Sequence, residues 1–239
     1  MNNCKILIVS DLKRLLEYRI IHFVIILTAL FGASMAFFPD INPSNFIYIT
    51  IFILPVIIFS ISMFIEREEN TLIPILKSKC NTLTIVVAKI LSSMIIQLIP
   101  IVTFILVLAF INKLPINYLY LFLVYILGVL VHILIGLSLS IISKSNQVLS
   151  LSYVAYILVF SMLPIFFSNG FIPLKFQYYL IISPAFLSGV LIDNIMAGMA
   201  YSSTWLIVLS VVLQFVYGFV LVYFVIRPYF KTFLLSSEK

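Results

Sequence analysis

Residues 45–65 read NFIYITIFILPVIIFSISMFI, a run without one charged side chain. As a helix rising 1.5 Å per residue, it reaches the ~30 Å of a bilayer's hydrocarbon core. The span is placed at residues 46–65. Working outward from it, runs of the same kind lie near residues 20–38, 90–111, 118–142, 148–168 and 204–226. The chain of 239 residues is 64% hydrophobic with a mean hydropathy of +1.26. Soluble domains hold only about 45–50% apolar residues. No ten-residue alternation suggests barrel strands. The fold class is therefore an all-α polytopic membrane protein with six transmembrane helices.

Charge gives the orientation. With six spans, the two ends of the chain and the loops at 66–89 and 143–147 share one side. Of the 14 lysines and arginines, only Lys113 and Lys175 fall on the other side. That bias places both termini in the cytoplasm of a multi-pass cell-membrane protein. Residues 179–200 could pass for a seventh crossing, but Pro184 and Asp193 interrupt them, and a seventh span would undo the charge bias. Residues 169–203 are instead expected to dip into the membrane from the outer face. The chain reads as one transmembrane domain over 1–239, closing with a last span at 204–226 and a cytoplasmic tail at 227–239.

Residues 1–19 lack a signal-peptide pattern, because Asp11 and Glu17 interrupt the basic region. Projected at 100° per residue, Ile8, Val9, Leu12, Leu15 and Leu16 share one face, with Ser10, Asp11, Lys13, Arg14 and Glu17 opposite. This predicts a helix lying in the headgroup plane, apolar face down among the membrane lipids. Cys4 and Cys80, both on the cytoplasmic side, are expected to be free thiols.

Catalytic and cofactor motifs are missing from the sequence. No G-x-x-x-x-G-K-[ST] occurs, and the two histidines, His22 and His132, have no carboxylate inside a span to orient them. No metal, bound cofactor or nucleic acid is expected on this chain. No acid or base lies inside a span, which argues against intrinsic ion coupling. Pro55, Pro100 and Pro164 are possible helix breaks. Gln97 and Gln214 are intramembrane polar groups, candidates for the path of a transported molecule.

Against this background, EREENTL at residues 66–72 places three acids and an arginine together at the exit of the second span. An amphipathic stretch follows, and Lys89 opens the next apolar run. Glu66 and Glu68 are expected outside the hydrocarbon, on a wet surface. A second span ending E-[RK]-E-x-x-T-L, then a short amphipathic stretch and a Lys-led helix, resembles the membrane subunits of type-2 ATP-binding-cassette (ABC-2) exporters. Glu66, Arg67, Glu68, Thr71 and Leu72 match the motif, Asn70 stands where glycine is usual, and Ala88-Lys89 stands for Gly-Lys. The segment ISPAFLSGVLIDNI at 182–195 resembles the family's region before its last span.

The resemblance implies a permease working as a dimer, with a second copy or a paralogue. A separate nucleotide-binding ATPase would hold ATP and Mg, so no enzymatic activity is expected here. Glu66, Arg67, Glu68, Thr71 and Leu72, in a coupling segment at 66–82, would meet that ATPase. Spans without interior charge suit a hydrophobic or amphipathic cargo, as in multidrug efflux. Phe171, Phe176, Tyr178 and Tyr179 would form an outer gate at the far interface. A non-transport membrane protein, such as an assembly factor or a lipid-modifying enzyme, is the alternative.

Overall fold

The computed structural model describes residues 2–38, 41–69, 81–143, 145–196 and 203–230. Among these, no strand occurs. Helix α1 (Asn2–Glu17) precedes six helices long and apolar enough to cross a membrane. These are α2 (Ile20–Phe37), α3 (Pro43–Glu66), α4 (Leu83–Ile111), α5 (Tyr118–Ile142), α6 (Asn146–Ser168) and α8 (Thr204–Phe230). Between the last two lies α7 (Pro184–Met196), whose 13 residues reach only ~20 Å, short of a crossing.

Local chemistry sets the helix starts. Asn42, Asn81 and Asn117 each accept a backbone N–H of the first turn of α3, α4 and α5. Ser145, Ser183 and Ser203 do the same for α6, α7 and α8. Each cap satisfies a donor that the helix itself leaves unpaired. Between α1 and α2 the chain turns through Arg19, held in the left-handed region at φ 60°.

The prolines do not break the spans. Pro55 and Pro164 follow π-helical turns at Ile49–Ile53 and Ile157–Ser161, where the wider hydrogen bonding absorbs the missing N–H. Pro100 lies within continuous helix.

Helices α3 and α5 form the centre: 72% of each is buried, against 17–33% of the other four spans. Tyr48, Phe52, Phe59 and Met63 of α3 pack in one cluster with Leu121, Tyr125, Val129 and Ile133 of α5. Gly136 lets the two backbones meet. A Cβ built there would lie 3.0 Å from the Val56 carbonyl oxygen. Lipid gives apolar side chains no reason to leave it, so such close van der Waals approach is what holds membrane helices together. Helix α7 is nearly all buried, packed against α5, α6 and α8.

One expectation needs correction. Helix α4 begins at Leu83, seven residues before the predicted span at 90. In helix α1, Leu15 and Asp11 are buried against the bundle, while Ile6, Val9 and Leu16 are exposed.

Candidate functional site

Helix α1 packs chiefly on α4, and their contact carries charge. The Lys89 ammonium lies 2.8 Å from Asp11 Oδ1 and 2.5 Å from Glu66 Oε2. Arg14 reaches Asp11 at 3.2 Å and Glu66 at 3.6 Å. The Ser92 hydroxyl donates to the second oxygen of Asp11. Glu66 is 0% exposed, and Asp11 and Lys89 are 4% exposed. Among the described residues, two acids and two bases alternate here, so their charges balance. Burying any one alone would cost several kcal/mol, on the order of 3–5. Glu66, placed on a wet surface by the sequence, is thus inside the protein, because its charge is neutralised there.

The neighbouring acids go elsewhere. Glu68, exposed in the helical turn that continues two residues past the α3 span, accepts a hydrogen bond of 3.1 Å from the Asn146 amide at the start of α6. Glu69 accepts one from the Tyr18 hydroxyl, between α1 and α2. Partial burial and then Glu69 hold the Tyr18 phenol above its ordinary pKa. Each acid of EREE therefore ties the end of α3 to different elements: Glu66 to α1 and α4, Glu68 to α6, and Glu69 to the α1–α2 junction. The Arg67 side chain, Thr71 and Leu72 lie outside the described residues, as do Cys80 and most of the segment at 66–82.

The other predicted residues are dispersed. Gln97 of α4 is buried and accepts from the Tyr125 hydroxyl at 3.3 Å. Gln214 of α8 is fully buried, with no hydrogen bond to its amide among the described residues. Helices α4 and α8 each pack against α5. His132 Nδ1 meets the Gly128 carbonyl oxygen at 2.7 Å, and the ring sits between Phe52 and Tyr156. Phe171, Phe176, Tyr178 and Tyr179 are all exposed. Phe176 pairs with Tyr179 at 6.3 Å, while Phe171 meets Phe166 edge-on.

At the opposite end of the bundle from α1, two cavities flank Asp193 of α7. One, of 610 Å³, is lined by Asn42, Ser168, Asn169, Gln177 and the apolar residues Phe167, Leu174 and Leu206. The second, of 490 Å³, is lined by Asn42, Ser44, Asn112, Ile111 and Met196. The Tyr48 hydroxyl donates to Asp193 Oδ1, with the Ser44 and Ser168 hydroxyls close by. Burial pushes the Asp193 carboxyl up to about 6.

Among the described residues, no three histidines, cysteines or acids come together as a metal cage. Sequence reasoning missed Asp11, Arg14, Lys89 and Asp193 as site residues. A signal for the first three existed: equal and opposite charges at the edges of three segments that must meet on one side of the bilayer.

No curated protein and no solved structure matches the chain. The sequence model of the ABC-2 type transporter family does match, over residues 14–196. That stretch runs from Arg14 of the charge cluster through α7, and carries all but the last span. The chain belongs to the ABC-2 type transporter family, as a multi-pass membrane permease.

Proposed function

We propose that this permease is the membrane half of an exporter driven by a separate ATPase chain, which holds the ATP and Mg. It works as a dimer with a second copy or a paralogue, in the cell membrane, with both termini cytoplasmic. Its cargo is hydrophobic or amphipathic: a drug, a lipid-like compound or a peptide. Residues 169–203 dip in from the outer face, with Phe171, Phe176, Tyr178 and Tyr179 at the gate.

The observation that carries this reading is the ion pair between Glu66 and Lys89. The coupling segment leaves α3 just after Glu66 and re-enters the membrane through α4 at Lys89. An ATPase moving against residues 66–82 would push on a loop whose two ends are tied to each other and to α1. Helix α1, the end of α3 and the start of α4 would then shift together, transmitting the stroke rather than absorbing it. Glu68 and Glu69 are the exposed charges at that root, suited to a polar contact that remakes itself each cycle.

The test is reconstitution with a nucleotide-binding subunit encoded beside this gene. Co-purification, and ATP hydrolysis stimulated by amphipathic compounds, are expected. A well-folded permease that neither retains that subunit nor alters its hydrolysis would refute the coupling. Stimulation only by sugars, amino acids or metal ions would refute the cargo class.

A further inference from the structure

The Asp193 carboxyl lies between two cavities whose linings, among the described residues, hold no second acid, no lysine, no arginine and no histidine. A buried carboxylate without a cation is unfavourable. Fold maintenance does not call for one here, because asparagine would fill the same space and still accept from Tyr48. The linings also combine two characters. Asn42, Asn169 and Gln177 are polar, while Phe167, Val190, Leu174 and Leu206 are apolar. Pockets for small organic molecules are built this way, mostly apolar with a few polar groups that fix orientation. A volume of 610 Å³ is within the range such ligands occupy.

We propose that this pair of cavities is a binding site for an organic ammonium ion, with Asp193 as the counter-charge and the apolar wall taking the hydrocarbon part. A bare metal ion would want six or more oxygens at close range, whereas one carboxylate beside amides and hydroxyls suits a bulky, weakly hydrated cation. The site faces away from α1, which on the exporter reading is the side where cargo departs. Among the described residues, Tyr48 of α3 and the hydroxyls of Ser44 and Ser168 are the groups turned toward Asp193, and none of these three titrates in the mildly acidic range.

The experiment uses the full chain in lipid nanodiscs, without any ATPase. Binding of benzyltrimethylammonium is measured by calorimetry beside that of neopentylbenzene, its uncharged isostere. The cation is expected to bind about tenfold more weakly to Asp193→Asn, the worth of one charge-assisted contact, while the isostere is unaffected. Should the variant fold poorly, the wild type supplies the second reading. Its affinity for the permanently charged probe should fall as pH drops from 7.5 to 5, and that for the isostere should not. Equal binding of cation and isostere, or cation binding indifferent to both the substitution and pH, overturns the proposal. Because no ATPase is present, that result leaves the exporter reading standing. Loss of ATPase association with cation binding intact would do the reverse.

Discussion

Lys89 stands 2.5 Å from Glu66, joining the end of α3 to the second turn of α4. Asp11 and Arg14 complete the contact, so one helix outside the bundle and two within it share a single charge-balanced joint.

Breaking that joint on one side should be costly. Lys89→Met takes the nearest cation from both Glu66 and Asp11, which stay buried. A loss of about 3–5 kcal/mol is expected, read as a lower melting temperature in detergent. Exchanging the charges, Glu66→Lys with Lys89→Glu, restores the pair but sets Arg14 beside a lysine. It should recover only part of the loss. A Lys89→Met protein as stable as wild type would show that the cluster contributes nothing to the fold.

Glu68 offers the opposite case. It is exposed, and its hydrogen bond to Asn146 is at the surface. Reversal to lysine should change stability by no more than about 0.5 kcal/mol. On the proposed coupling, it should sharply reduce ATPase co-purification or stimulated hydrolysis. Unchanged stimulation in a Glu68→Lys, Glu69→Lys double variant would demote these acids to ties between helices.

The contact of α3 with α5 can be tested with one methyl group. Gly136→Ala puts a carbon 3.0 Å from the Val56 carbonyl oxygen and 3.2 Å from its Cα, so backbone must move. The expected destabilisation is about 1–3 kcal/mol. Gly218→Ala on α8 is the control, since its new methyl would meet only Leu134 at 3.7 Å.

Asp193 makes stability depend on pH in a defined direction. Burial raises its pKa from 3.8 to about 6, so the folded protein prefers the neutral acid. The proton's stabilising effect is complete below pH about 4 and is lost as pH rises through 6. Two pKa units correspond to about 3 kcal/mol. Thermal stability should therefore rise on acidification from pH 7 to 5, and this slope should flatten in Asp193→Asn. Identical slopes in both proteins would remove Asp193 as the cause.

Orientation is open to chemical labelling. Single cysteines replacing Ser78 and Ser237 should react in intact cells only with membrane-permeant reagents. A cysteine replacing Asn169 should react with an impermeant one. Labelling at 237 from outside would reverse the proposed arrangement.

Much of this architecture could be read from the residues alone, and the failures share a physical origin. The spans at 118–142 and 20–38 were found to within a residue because an apolar run of that length has one use. The start of α4 was missed because Lys89 looked like a boundary, when two acids from elsewhere allow it inside. The burial of Asp11 in helix α1 was not legible for a related reason, because its partners Lys89 and Ser92 come from a distant part of the chain. Asp193 was legible as a costly residue but not as a cavity wall, because Asn42, Ser168 and Asn169 join it only through the fold.

The unequal lengths of the helices make bilayer thickness a variable to which the protein responds. Helix α4 has 29 residues, about 43 Å, against 18 and about 27 Å for α2. An upright α4 exceeds a ~30 Å hydrocarbon layer by about two and a half turns. Measured from Ile111, Lys89 lies about 33 Å along the helix, at the level where acyl chains give way to headgroups. A thicker membrane would draw the charged joint into oil and tighten it, whereas a thinner one would wet it and loosen it. Acyl-chain length would thereby set how stiffly α1, α3 and α4 are held to one another.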